Sequence, residues 1–138
     1  MHIREIVGQI QGMERTLRQN GQKAVVVIAT DGESSDGDIA AAMRPLQSLP
    51  VFVVIRLCTD DDRVVDYWNN IDSQLELEIE VLDDFTSEAQ EIVKVNDWLT
   101  YGEPLHRMRE FGVPIKELDL IDEAKLSADQ MRAVVALM

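Results

Sequence analysis

Hydrophobic residues follow two different spacings in the first part of the chain. Over residues 3–17 they recur every three or four positions, which predicts an amphipathic helix. Asn20-Gly21 is typical of the left-handed cap that ends such a helix. A continuous run follows, Ala-Val-Val-Val-Ile-Ala, which begins at Ala24 and ends at Ala29. This run predicts a strand that is buried on both faces of a parallel sheet.

The same two patterns continue to alternate further along the chain. Residues 38–46 and 61–71 have helical spacing, and the apolar run over residues 51–57 predicts a second strand. A third predicted strand and helix come next. Strands and helices therefore alternate along the chain in the order of right-handed βαβ units.

The third predicted strand, residues 76–82, differs from the first two. Glutamate and aliphatic residues alternate strictly in it, which predicts one face toward the core and the other toward water or a polar cover. Its glutamates discourage further pairing, so we expect an edge strand. Thr86 and Ser87, followed by Gln90, are typical of a capping box and predict a helix that continues to Val95.

After Asp97 the pattern becomes purely helical. Pro104 is suited to open a helix that Gly112 closes, and Ser127 with Gln130 predicts the cap of a last helix. We therefore expect an α/β half-domain over residues 1–97 and a helical tail, residues 98–138, that packs on it. The fold class is a three-layer α/β sandwich, a Rossmann-like half-fold with a parallel sheet of at least three strands.

Charge narrows the partners that the chain can have. It contains 26 Asp and Glu against 13 Lys and Arg, a formal net charge of −13. Such a surface repels nucleic acid phosphates and anionic lipid, so we expect a protein partner and neither nucleic acid nor membrane. The single cysteine, Cys58, cannot form an internal disulfide and is expected to be a buried, inert thiol. These features favour a cytoplasmic protein.

Acidic residues follow each predicted strand. They are Asp31, Glu33, Asp36 and Asp38 after the first, Asp60, Asp61 and Asp62 after the second, and Asp83 and Asp84 after the third. Because the carboxyl ends of parallel strands meet at one edge, a hard cation such as magnesium or calcium would relieve their repulsion. The other interpretation is that acids and serines here cap helices, and it is favoured for most of them. The expected caps are Asp36, Asp61 and Ser87.

Residues 25–32, Val-Val-Val-Ile-Ala-Thr-Asp-Gly, resemble the fourth strand of von Willebrand factor A domains. The order of elements over residues 2–96 is similar to the carboxyl-terminal half of that family. The resemblance implies that Asp31 belongs to a metal-ion-dependent adhesion site, where a metal bridges the domain to an acidic group on its partner. It also implies that Thr30 and Gly32 shape the loop around that carboxylate.

The sequence lacks the family's Asp-x-Ser-x-Ser motif and its later threonine, because it begins at the helix that precedes the fourth strand. The implied site is therefore incomplete and would hold magnesium or calcium weakly. Its candidate residues are Asp31, Thr30, Glu33 and Asp60.

We expect a non-enzymatic protein-interaction module that is assisted by a weakly bound divalent cation. The alternative is a magnesium-dependent hydrolase or phosphotransferase that uses Asp31 and Asp60, although a general base and a phosphate-binding loop are missing. A third possibility is a structural half-domain that completes a larger assembly. A packing or surface role is expected for His106. Three aromatic residues are expected to be core anchors: Trp68, Trp98 and Tyr101.

The resemblance also bears on assembly. In the family the fourth strand lies beside the first, so here the inner side of the strand from Ala24 to Ala29 would be open. We expect two copies of this strand to pair antiparallel in a homodimer with a continuous six-stranded sheet. The competing expectation is a monomer in which the carboxyl-terminal tail covers this edge.

Overall fold

The structure, a computed structural model, describes residues 2–34 and 37–138. Within these ranges the chain forms three strands, seven α-helices and a 3₁₀ turn. In chain order they are α1 Ile3–Gln19, β1 Ala24–Thr30, α2 Ile39–Met43, the 3₁₀ turn Arg44–Ser48, β2 Val51–Leu57, α3 Asp62–Gln74, β3 Ile79–Leu82, α4 Phe85–Val95, α5 Glu103–Glu110, α6 Lys116–Leu120 and α7 Ala128–Leu137. In the described part of the chain, no helix has the length and apolar character needed to cross a membrane.

The strands form one parallel sheet in the order β1–β2–β3. Ala24 of β1 is aligned with Val51 of β2, and Val53 of β2 with Ile79 of β3. Helices α1 to α3 cover one face of the sheet, and α5 packs on β2 and β3 from the other face. The expected fold class, an α/β protein with a parallel sheet flanked by helices, is confirmed.

Two clusters of buried apolar side chains hold these layers together. The first lies between α1 to α3 and the sheet, where Val53 and Ile55 of β2 are almost fully buried. The second joins α4 to the tail helices and includes Ile92 and Val134, each with no exposed surface. Because Ile92 belongs to the second cluster, α4 shares its core with the tail. The division between residues 97 and 98 stays a prediction.

The burial of β1 differs from the expectation. It was expected to be covered on both faces, but Val25 and Val27 are 44% and 45% exposed, and Ala29 is exposed as well. Only the opposite face of β1, with Val26 at 9% exposure, packs on the core. The central strand is β2 instead, and five of its seven residues are buried. An apolar run indicates a strand, but its position in the sheet depends on how the elements pack.

The edge position of β3 is confirmed, but the strand is shorter than residues 76–82. The helix expected over residues 38–46 is also shorter. It starts after the cap Asp38 and gives way to the 3₁₀ turn at Arg44, because Pro45 lacks an amide hydrogen for helical bonding. The predicted ends at Pro104, Gly112 and the capping box of α7 are confirmed.

Gly112 fixes where the tail meets the sheet. Its φ is +67°, and a Cβ at this position would lie 2.6 Å from Cγ1 of Val25, 3.1 Å from Phe52 and 3.2 Å from Val54. The backbone after α5 therefore rests directly on β2 and the near side of β1. In the described residues the tail leaves Val27 exposed and no strand pairs with the outer edge of β1, so the tail does not cover this edge as the monomer expectation supposed. Whether the chain is a monomer or a homodimer stays a prediction.

We expect Gly112→Ala to lower the free energy of unfolding by about 2–4 kcal/mol, since it combines a strained positive φ with overpacking. Gly21 provides the matched control, because its φ is +61° and a Cβ there would meet nothing within 4 Å. Gly21→Ala should cost only the backbone strain, about 1–2 kcal/mol. Urea denaturation of both variants measures the difference. Equal losses would show that the tail does not press on the sheet at Gly112.

Candidate functional site

The predicted cation residues lie where β1 and β2 end. Asp31, Glu33 and Asp60 are all exposed to solvent. The hydroxyl of Thr30 donates to the carbonyl of Gly32 at 3.1 Å and accepts from the Gly32 amide at 3.3 Å. The carbonyl of Gly32 also accepts a bond from the indole of Trp68 at 3.2 Å. Thr30 and Gly32 thus shape the loop that carries Asp31.

The acids at the strand ends are dispersed. Within residues 2–34 and 37–138, no group of three or more His, Cys, Asp or Glu is arranged to hold a metal ion. Asp60 lines a cleft with Asp83 and Asp84, and Asp31 is not among the residues that line it. Asp36 and Ser35 lie outside the described residues. Cation binding at Asp31 stays a prediction.

Helix capping accounts for several of these acids. Asp61 accepts from the amide of Arg63 at the start of α3, as expected, and Asp38 caps α2. Ser87 was expected to cap α4, but Asp84 does so and accepts from the amides of Thr86 and Ser87. Hydrogen bonds from Arg63 lower the pKa of Asp61, and those from Ser87 lower the pKa of Asp84. These carboxylates therefore stabilise helix starts as anions.

The cleft at the carboxyl ends of β2 and β3 has a volume of about 770 Å³. Its buried carboxylate, Glu110, accepts from Arg56 at 2.8 Å and from Arg107 at 2.7 Å. His106 is buried, as a packing role requires. It contacts the hydroxyl of Tyr101 at 2.8 Å and Glu110 at 3.4 Å through its two ring nitrogens. Burial lowers the pKa of His106.

Cys58 also lines this cleft. It was expected to be buried within a strand, but it follows the last residue of β2 and is exposed. Its amide donates to the carbonyl of Thr30, so the backbone here still belongs to the sheet. The side chain is exposed because the neighbouring Leu57 takes the core-facing position.

A buried charge network, centred on Arg109 of α5, ties the tail to the sheet. Arg109 is 2% exposed and donates to Glu80 of β3, to Glu88 of α4 at 2.7 Å, to Asp122 at 2.8 Å and to Tyr101 at 3.4 Å. These five bonds match the five N–H groups of a guanidinium. Arg109 therefore has no remaining donor for a ligand.

The pKa values in this network are strongly displaced. Burial raises the pKa of Glu80 to about 8, although Arg109 acts in the opposite direction. Burial likewise raises the pKa of Glu88, and it raises that of Tyr101 to about 12. Burial alone would lower the pKa of Arg109. The attraction of the surrounding carboxylates is larger, and the pKa of Arg109 is raised.

The Arg109 network was not predicted from the sequence. The alternating strand has the expected polar cover. The residue that provides it, Arg109, lies far along the chain. A signal exists in α5, where Leu105 and Arg109 are four residues apart and therefore on one helix face. Both are 2% exposed, so the arginine occupies a position that the pattern would give to an apolar residue.

The outer edge of β1 has no neighbouring strand in the described part of the chain. Hydrogen bonds run from the amide of Ala24 to the carbonyl of Pro50 and from the amide of Cys58 to the carbonyl of Thr30. In a parallel pair, alternate residues bond to the same neighbour, so the backbone groups of Val25, Val27 and Ala29 point away from β2.

The side chains of these three residues lie on the face of the sheet on which Gly112 rests, and all three keep substantial exposure there. Phe111, which precedes the glycine that rests on Val25, is 71% exposed. We call Val25, Val27, Ala29 and Phe111 the open-edge surface. It combines unpaired backbone groups with exposed apolar side chains, which is the composition of a strand-addition site.

Comparison with known proteins gives no match to a family model, to a curated protein or to a solved structure, so the von Willebrand factor A resemblance stays a prediction.

Proposed function

We propose that this chain is a non-enzymatic protein-interaction module that binds a partner strand along β1. The single observation that carries the proposal is the open-edge surface, where the backbone groups of Val25, Val27 and Ala29 point outward beside exposed valines. A partner strand would satisfy those backbone groups and cover the valines together. Strand addition of this kind derives affinity from main-chain hydrogen bonds and specificity from alternate side chains.

The contrast between the two edges of the sheet supports this proposal. Natural sheets protect their edges with charged residues, proline or short strands. β3 is four residues long, and the exposed Glu76 and Glu78 come just before it. β1 is seven residues long and contains neither a charged residue nor proline. An edge that is unprotected in this way invites pairing.

The polar groups elsewhere give a second line of support. An active site needs a base or nucleophile that can reach the substrate. All five N–H groups of Arg109 are bonded within the buried network, and the two ring nitrogens of His106 contact Tyr101 and Glu110. The buried polar groups near the sheet are thus committed to holding the fold together. This favours a binding module over the hydrolase that would use Asp31 and Asp60.

The test is a selection of nine-residue peptides from a displayed random library on the purified protein. We expect the selected peptides to be rich in β-branched residues, because these favour extended strands. Hydrogen exchange should show protection of the amides of Val25, Val27 and Ala29 when such a peptide is bound. Val27→Lys should weaken binding about tenfold or more, the equivalent of about 1.4 kcal/mol.

Val93→Lys is the matched control, since Val93 of α4 is 49% exposed and the substitution changes the net charge equally. It should leave peptide binding unchanged. Peptides that bind Val27→Lys as tightly as the parent protein, or that protect none of the three outward amides, would refute strand addition at β1.

A further inference from the structure

We infer that the strand that pairs with β1 is β1 of a second copy of this chain, antiparallel and centred on Val27. This inference rests on the proposed function, because it names the partner of the same open edge. Pairing about a two-fold axis extends the sheet from three strands to six, in the order β3–β2–β1–β1–β2–β3.

Backbone geometry selects the centre of the pair. An antiparallel two-fold pair needs each outward-facing residue to meet another outward-facing residue. With Val27 opposite Val27, Val25 lies opposite Ala29, so all three outward positions form hydrogen-bonded pairs. A pair centred on Val25 or on Ala29 would leave one end of the strand unpaired. The centre at Val27 therefore gives the longest ladder.

Charges at the two ends of β1 support the same register. The strand itself is uncharged, but Lys23 precedes it and Asp31 follows it. With Val27 at the centre, Lys23 of each copy lies opposite Asp31 of the other, so the opposite-charge pair occurs twice. Lys23 contacts Glu78 of its own chain, but both side chains are exposed and such a pair holds the lysine only weakly.

The apolar part of the open-edge surface fits a second copy as well. Val25 and Val27 of the two copies would lie on the same face of the joined sheet, where both valines are exposed in the single chain. The net charge of −13 opposes self-association, but charges farther apart than about 8 Å are largely screened at physiological salt. The contacts at β1 therefore determine whether two copies associate.

Sedimentation of the full chain at several hundred micromolar tests the inference. We expect a dimer for the parent protein and for Val93→Lys, and a monomer for Val27→Lys. Lys23→Glu alone, or Asp31→Lys alone, should weaken the dimer about tenfold or more, because each places like charges at both ends of the ladder. Circular dichroism checks that every variant is folded.

A mixture of the two charge variants gives the decisive result. In a mixed dimer of one Lys23→Glu copy and one Asp31→Lys copy, an opposite-charge pair is present at both ends of the ladder. The mixture should therefore dimerise, while each variant alone does so poorly. Failure of the mixture to recover, or single variants as dimeric as the parent, would overturn this register. A monomeric parent protein that still binds the selected peptides would overturn the self-pairing and leave the proposed function standing. A monomer that binds no peptide would overturn both.

Discussion

Arg109→Met is expected to lower the free energy of unfolding by about 3–5 kcal/mol, because it leaves the buried carboxylates of the network without their cation. Methionine keeps most of the volume of the arginine stem, so the loss reports charge more than packing. Glu80 is 7% exposed and Glu88 only 2%, so neither can recover its hydration without local unfolding. Urea denaturation at neutral pH measures the effect.

The pH dependence of that loss gives an internal check. Protonation neutralises Glu80 and Glu88, whose pKa values burial already raises, and losing Arg109 raises both further. The variant should therefore lose less stability near pH 5 than near pH 9, because Glu80 of the parent is ionised mainly above its pKa of about 8. Arg132→Met is the matched control, since Arg132 of α7 is exposed and pairs with the exposed Asp129. A loss as large for Arg132→Met would show that the substitution itself, and not the buried network, is responsible.

Asn96→Ala is expected to cost about 3–5 kcal/mol, since each buried polar group left unpaired costs about 1–3 kcal/mol. The Asn96 side chain has no exposed surface and donates to the carbonyls of Ile121 and Ala124 at 2.7 and 2.8 Å. It accepts from the amide of Leu126 at 3.0 Å and from the indole of Trp98 at 3.2 Å. One side chain thus joins the end of α4 to the segment between α6 and α7.

Asn70→Ala provides the comparison for Asn96→Ala, because Asn70 is an exposed asparagine within α3. Its loss should change stability by no more than about 0.5 kcal/mol, as is usual for surface positions. Thermal unfolding followed by tryptophan fluorescence measures both variants. If Asn96→Ala unfolds like Asn70→Ala, the segment around Ile121 does not depend on the asparagine for its position.

Arg109, Asn96 and Gly112 together explain why one edge of the sheet is open. The first two hold the tail helices over β3 and α4, and Gly112 brings the backbone down onto β2. Because the tail is anchored at these three residues, it reaches across the sheet only as far as Val25. The open-edge surface is therefore a consequence of where the tail is fixed.

Features that depend on neighbours close in sequence were predictable from the chain itself. The apolar runs identified β1 and β2, and the order of elements gave the parallel α/β class. Asp61 and Ser127 were identified as caps because a cap bonds to an amide two or three residues away. Thr30 and Gly32 shape the loop at Asp31 through contacts of the same short range.

The tertiary structure alone decided which faces of these elements are covered. The run from Ala24 to Ala29 and β2 have similar composition, but only β2 has a strand on each side. The acids at the strand ends form no metal-binding group in the described residues, although Asp60, Asp83 and Asp84 share a cleft. Glu80 and Arg109 are 29 residues apart, and their pairing depends on the tail returning to the sheet. A residue pattern determines the local backbone conformation and the side of an element that prefers burial. The residues that cover that side belong to distant segments, and the pattern does not contain their arrangement.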